Sequence, residues 1–258
     1  MLYPRIIPCL LLHNKGLVKT VKFKDPKYVG DPINAVKIFN EKEVDELIVL
    51  DIDATSKNKE PDYKMIENLA SECRMPLCYG GGIKTIAQAK RIFTLGVEKI
   101  AMSSTVIDTP EILMEIATQV GAQSLVVILD VKKRLLGSKY DIYTHNGRVK
   151  HSINLFDFVK ELEKLRAGEI IINSIDNDGI MKGYDMDLIA RVKSQLSIPM
   201  TALGGAGSLE DIKQIIMRHK IIGVAVGSFF VFKGKYRAVL INYPSYEDKE
   251  NMIERSWN

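Results

Sequence analysis

ELIVLDIDA, starting at Glu46, lies over EIIINSIDN, starting at Glu169, and at the same offset MPLCYGGGIKT from Met75 lies over IPMTALGGAGS from Ile198. Asp62 then falls on Asp185, and with one inserted residue AMSS from Ala101 meets AVGS from Ala225. Each copy is a short β-branched run that ends in glycines or small hydroxyl residues and leads into an amphipathic segment. That is the pattern of repeated βα units around a parallel sheet. Self-similarity of this length is the mark of a chain built from repeated units. The halves read as copies of one four-unit half-barrel, about 1–120 and 121–235, followed by a divergent C-terminal tail.

Outward from these landmarks, strands are predicted at 5–12, 46–52, 76–80, 99–103, 124–130, 169–175, 199–203 and 222–226. Apolar residues at spacings of three and four predict helices at 61–73, 86–95, 155–166, 186–196 and 209–218. Eight such strands close an α/β barrel of the (βα)8 TIM type, and 258 residues suit a single barrel domain. Two stretches interrupt the repeat, 13–31 after the first strand and 132–152 after the fifth. The second holds KYDIYTHNGRVKH, whose alternation around Asn146-Gly147 signals a hairpin. Both lie on βα connections, which build the active-site face of a barrel.

Composition narrows the class. With 46% hydrophobic and 26% charged residues, disordered and fibrous chains are excluded. Arg5 and Pro8 interrupt the apolar N-terminal run, which reads as a buried strand and not a signal peptide. No run approaches the roughly 18 apolar residues of a membrane helix, so a membrane is not expected. Cys9, Cys73 and Cys78 are odd in number and form no CxxC, which argues against a disulfide framework, a metal site or a metal cofactor. A cytoplasmic protein with free thiols is expected. The net charge of +4 is modest and the lysines are spread along the chain, so no nucleic-acid partner is implied.

Gly80-Gly81-Gly82 follows the third strand and Gly204-Gly205-Ala206-Gly207 the seventh. Glycines there let main-chain N–H groups approach an anion. One unit later come Ser103-Ser104 and Gly227-Ser228, placed to open short helices whose N-termini favour phosphate. Two related cradles on opposite sides of a barrel mouth suit an elongated ligand, phosphorylated or otherwise anionic at both ends.

At this point nearly the whole chain, from RIIPCL at Arg5 to about Phe232, resembles the cyclase subunit of imidazole glycerol phosphate synthase. The matching residues are Lys19 and Gly30-Asp31-Pro32, LDIDA at Leu50, YGGGI at Tyr79, Asp130, INSIDNDGIMKGYD from Ile172 and LGGAG at Leu203. The resemblance implies a barrel that receives ammonia from a glutaminase subunit and uses it on a bisphosphorylated ribulosyl-aminoimidazole. It implies an aspartate pair at the ends of the first and fifth strands, of which Asp130 matches one while Leu11 stands at the other. Leucine cannot exchange a proton. His13 is the nearest titratable residue, one layer further along the same face. Leu203 replaces a small polar residue, Asp53 a hydroxyl residue, and the tail FKGKYRAVLINYP an ordinary eighth helix. This combination is similar to the branch associated with bacterial surface-polysaccharide genes, where barrel and glutaminase supply ammonia to a separate sugar amidotransferase that makes an acetamidino group.

The resemblance also assigns Arg5, Glu46, Lys99 and Glu169, all at strand starts, to a salt-bridged ring gating ammonia entry from the glutaminase. Without it they read as a structural ring. Glu98 is the expected partner contact beside the ring. Asp51, Asp176 and Asp178 are candidate mouth residues, or caps of the turns that follow them. Gly179 matches the second phosphate loop. His145 and His151 are expected to be solvated, and 246–255 with Trp257 to form a terminal surface helix. Three functions stay open: an ammonia-conducting subunit, a true cyclase of histidine synthesis, and a bisphosphate isomerase of the related half-barrel families. Leu11 favours the first.

Overall fold

The computed structural model describes residues 3–257, with side chains as far as residue 253. Eight parallel strands form the barrel: β1 (Arg5–His13), β2 (Leu47–Asp51), β3 (Leu77–Gly80), β4 (Lys99–Met102), β5 (Leu125–Lys133), β6 (Glu169–Ser174), β7 (Met200–Leu203) and β8 (Gly223–Val226). Each pairs with its neighbour in sequence, and β8 returns to β1 with Arg5 opposite Gly223, so no strand edge is left unpaired. Around them stand helices α1 (Pro32–Glu41), α2 (Tyr63–Glu72), α3 (Ile86–Thr94), α4 (Ser104–Asp108), α5 (Ile112–Val120), α6 (Leu155–Lys164), α7 (Met186–Lys193) and α8 (Leu209–His219). The structure is the (βα)8 barrel that the sequence predicts.

Alternation along the strands creates two cores. Ile6, Leu10 and Leu12 of β1 face out beneath the helices, in one cluster with Phe39, Ile66 and Ile215. Ile7 and Cys9 face in, where they meet Ile48, Cys78, Ala101, Ile171, Leu203 and Ala225. Each fully buried Leu, Ile or Phe is worth about 1.5–3 kcal/mol, so both faces of every strand hold the barrel together. Asp62 and Asp185, which the sequence sets at equivalent places, do the same local work. Their backbone angles are −76°/86° and −76°/88°, and each side chain accepts the N–H three residues on, capping α2 and α7. A cap of this kind is worth about 1 kcal/mol.

The connections hold the differences. The 13–31 stretch folds as a hairpin, Gly16–Val21 against Lys24–Gly30, turned by Lys22 and Phe23 at φ 51° and 64°. Asp130 lies inside β5 and not at its end, because the strand runs on to Lys133 and pairs with Tyr140–Thr144. The predicted hairpin continues to Val149–His151 through a turn at 145–148. After β8 the tail forms a small hairpin, Phe232–Lys233 with Ala238–Val239, and then α9 (Tyr246–Trp257), which packs on α8. Tyr243 donates its hydroxyl to the Ile6 carbonyl at 2.8 Å, and Lys249 pairs with Asp45 at 2.9 Å. The tail thus covers the β8–β1 seam. The terminal helix predicted at 246–255 is present, whereas the expectation for the Trp257 side chain lies outside the described residues.

Candidate functional site at the barrel mouth

Period-two alternation stacks three kinds of residue inside the barrel. Arg5, Glu46, Lys99 and Glu169 point inward at the strand starts, apolar side chains fill the middle, and Leu11, Leu50, Asp130 and Asn173 reach the mouth. A cavity of about 310 Å³ opens there. Leu11, Leu50, Ile128, Phe23 and Pro26 supply its apolar wall, Asp51, Asp53 and Asp130 its carboxylates, and His13, His145, Lys57 and Arg148 its basic groups.

Asp130 is the group best placed for proton transfer. Burial pushes its carboxyl up to about 7, with the 2.9 Å bond from the Asn173 amide opposing and the Asp178 charge adding. A carboxyl titrating near neutrality serves as acid or base at ordinary pH. Across the cavity Leu11 offers nothing to exchange.

Of the glycine pairs, Gly81 and Gly82 line the cavity together with Ser103 and Ser104. Gly81 has φ 128°, and a Cβ there would fall 2.5 Å from the Asp51 carbonyl oxygen, so only glycine closes the turn. The Ser103 hydroxyl is buried with no protein partner among the described residues. Gly204, Gly205, Gly227 and Ser228 do not border this cavity. The 16–30 hairpin lies over that side. Thr20 donates to the Asp178 carboxylate at 3.2 Å, the Lys22 N–H donates to the Asp178 carbonyl, and Arg237 donates to the Gly179 carbonyl. Lys19, on the first strand of the hairpin, is buried, and its ammonium donates to the Cys9 carbonyl and lies beside Gly227. Burial lowers the Lys19 pKa against the pull of Cys9 and Asp178, and burial raises that of Asp178.

The remaining aspartates divide. Asp51 lines the cavity but spends one oxygen on the N–H groups of Asp53 and Ala54, and burial raises its pKa. Asp176 accepts the Lys133 N–H at 3.0 Å and braces the fifth-strand hairpin outside the cavity. The histidines expected to be solvated are half-buried instead, because both hydrogen-bond the Thr144 hydroxyl, and His145 lines the cavity.

One pairing was missed from sequence. His13 Nδ1 lies 2.8 Å from the Asp53 carboxylate, and Lys57 holds both Asp53 and the Asn14 side-chain oxygen at 2.9 Å. That bond points the Asn14 amide nitrogen at His13 Nε2, 3.0 Å away, so in the neutral imidazole the proton sits on Nδ1. The available signal was that β1 and β2 are neighbours, with His13 ending the first and Asp53 just after the second.

At the opposite end the four charged residues close into a ring. Arg5 reaches Glu46 and, at 2.7 Å, Glu169; Lys99 reaches the same two at 2.9 and 3.0 Å. Thr201 adds a bond to Glu169. Burial alone would raise the Glu169 carboxyl and lower the Arg5 and Lys99 cations. Mutual attraction outweighs it, holding Glu169 low and both cations high. Glu98 is exposed beside the ring, with one oxygen accepting the Leu77 N–H.

Among the described residues no three His, Cys, Asp or Glu side chains cluster closely enough to hold a metal ion, and no helix is long and apolar enough to cross a membrane.

A closed barrel with a carboxylate-lined cavity at the strand ends and a charged ring across the strand starts defines a (βα)8 protein whose cavity opens among its βα loops. Residues 5–237 match the family model described as histidine biosynthesis protein. A Vibrio vulnificus protein provisionally named imidazole glycerol phosphate synthase subunit hisF3 is 59% identical over 254 residues, 98% of each chain. A similarly provisional hisF2 of Pseudomonas aeruginosa is 50% identical, over 95% of this chain and 97% of its own. The imidazole glycerol phosphate synthase subunit HisF of Lactococcus lactis subsp. cremoris is 38% identical over 89% of both. The chain belongs to the histidine biosynthesis protein family, within its imidazole glycerol phosphate synthase subunit HisF group.

Proposed function

We propose that this chain, built from two half-barrels, passes ammonia from a glutaminase bound at its N-terminal face to a cytoplasmic enzyme that amidates a nucleotide-linked sugar, forming an acetamidino group for surface polysaccharide. The observation that carries this reading is a complete Arg5–Glu46–Lys99–Glu169 ring below a mouth in which Leu11 faces Asp130. The interior between them is apolar, which admits neutral NH₃ and penalises NH₄⁺. Relatives at 50% identity and above with names numbered hisF2 and hisF3 are in keeping with an additional copy beside a histidine-pathway enzyme.

In this reading Gly81, Gly82, Ser103 and Ser104 hold one anionic group, and Gly179, Gly204, Gly205, Gly227 and Ser228 a second, with Lys19 beside it. The competing reading, a working cyclase, draws support from Asp130 titrating near 7. One assay separates them. With saturating ammonium and the ribulosyl-aminoimidazole substrate, the proposal expects imidazole glycerol phosphate formation about 10²–10⁴-fold below an intact acid-base pair. Turnover at an ordinary cyclase rate removes the proposal.

A further inference from the structure

We propose that the mouth rim is a docking surface for a protein with an acidic face, and that three basic hairpin tips grip it around the outlet. The proposal rests on the ammonia-conducting reading and identifies the occupant as the enzyme that takes up the ammonia. The tips are 22–28 (KFKDPKY), 132–139 (KKRLLGSK) and 233–237 (KGKYR), and they hold ten Lys and Arg against one Asp. Of the chain's 36 basic and 32 acidic residues, 26 and 31 remain elsewhere, so the net positive charge of the protein resides on these loops.

Lysines that look dispersed along the sequence are gathered by the fold, because the tips follow β1, β5 and β8 and all three strands point to the mouth. The first and third touch: the Lys27 ammonium donates to the Arg237 carbonyl at 3.3 Å and lies 5.1 Å from the centre of the Phe232 ring. The second rises from β5 on the far side and is tied down by Arg191, which donates to the Ser138 carbonyl at 2.6 Å. The cavity is lined by Phe23 and Pro26 of the first tip and, on the β5 side, by His145, Asn146 and Arg148 of the turn that continues the second hairpin. Among the described residues only Arg134 of these cations has a carboxylate partner, Asp141 at 2.6 Å.

The tips also display apolar groups that the fold does not use. Leu135 is 103% exposed, Leu136 89% and Tyr236 88%, and Tyr28 is exposed beside them. Covering them removes apolar surface from water, a gain that a partner with matching pockets supplies. Leucine and tyrosine anchors framed by unpaired lysines select a surface with apolar pockets and negative charge; the anchors give affinity and the charges steer encounter. An anionic membrane has similar chemistry. A protein is favoured because the tips stand on both sides of the opening, so a body seated on them seals the outlet and keeps ammonia from being protonated in water.

The test uses the barrel–glutaminase complex and the purified sugar-amidating enzyme. Two variants suffice, Lys132→Glu/Lys133→Glu/Lys139→Glu and Leu135→Ser/Leu136→Ser, both on exposed residues and checked for unchanged melting temperature. Binding is measured by titration calorimetry at low and high salt, and product per glutamine is compared with product from saturating ammonium. Each variant is expected to weaken binding about tenfold or more and to lower the yield from glutamine while leaving the yield from ammonium unchanged. Salt should weaken the wild type. Variants that bind like the wild type, or a wild type that does not bind, overturn the docking surface. So does adsorption to phosphatidylcholine–phosphatidylglycerol vesicles that the variants abolish while enzyme binding persists. If product forms from ammonium but never from glutamine, in the wild type with the complex intact, the ammonia reading itself fails.

Discussion

Leu11 on β1 and Asp130 on β5 stand four strands apart in either direction around the barrel, on the inner face and at the same mouth cavity. A substrate between them meets a proton-exchanging carboxyl on one side and a hydrocarbon on the other. Leu11→Asp restores the second carboxyl, yet only a small gain in cyclase activity is expected. Leu203 and the covered second glycine pair leave the substrate misplaced, and about 1 Å of misplacement costs roughly 100-fold. Full rescue by that change, measured as imidazole glycerol phosphate formed with ammonium, would show that the rest of the site is intact.

Asp130 predicts a pH-dependent stability. Its folded pKa of about 7 lies above the ordinary value of 3.8, so between those pH values the folded chain binds the extra proton. Stability on this account falls as pH rises from about 4 through 7 and then levels off. Asp130→Asn keeps the oxygen that accepts from Asn173 and removes the ionisation. The variant should gain up to roughly 4 kcal/mol over wild type at alkaline pH and little at acid pH. Thermal melts at the two pH values check this, with about 2–4 °C expected per kcal/mol. An equal shift at both would place the Asp130 pKa at the ordinary value.

How much of this was legible in the sequence depends on the length scale of the signal. The barrel strands were legible because alternation such as Ile7–Cys9 against Ile6–Leu10 is written in consecutive residues. The Gly16–Gly30 hairpin was not, since its turn depends on Lys22 and Phe23 adopting positive φ, a conformation that no residue type there advertises. His13 and Asp53 are 40 positions apart and meet only because β1 and β2 pair, Leu12 opposite Asp51. The two glycine pairs are equally legible from their spacing, yet only one borders the cavity, because Gly204 and Gly205 pack against Asn173–Ser174 and Gly183–Tyr184 of the preceding βα unit, contacts that the spacing does not reveal.

Lys99→Ala tests the ring. Removing the lysine leaves Glu46 and Glu169, each 4% exposed, with Arg5 as their one cationic partner among the described residues and the Thr201 bond to Glu169. Breaking a buried pair by deleting one partner costs about 3–5 kcal/mol, so a lower melting temperature is expected. With glutaminase and amidating enzyme present, product per glutamine should fall while product from saturating ammonium holds. An unchanged ratio with the complex still formed would reduce the ring to a structural brace.

Gly179→Ala should free the first hairpin. Gly179 has φ 68°, and a Cβ there would come within 2.1 Å of the Thr20 carbonyl oxygen. The hairpin must lift, taking Thr20 away from Asp178. Limited trypsin digestion should then cut the 22–28 tip faster than in wild type, about tenfold if the added strain is near 1.4 kcal/mol. Equal cutting rates would show that the hairpin does not depend on this contact.

The bond from the Tyr243 hydroxyl to the Ile6 carbonyl joins residues 237 positions apart and lies over the seam where β8 meets β1. Of the eight barrel strands β1 is made before the others, yet its second neighbour, β8, and its outer cover at Tyr243 come more than 200 residues later. The first strand therefore waits with one edge bare until β8 and the segment through Tyr243 have been made, and only then can the barrel close. A nascent chain of this kind is a natural client for a chaperone that shields a strand edge until its distant partner arrives.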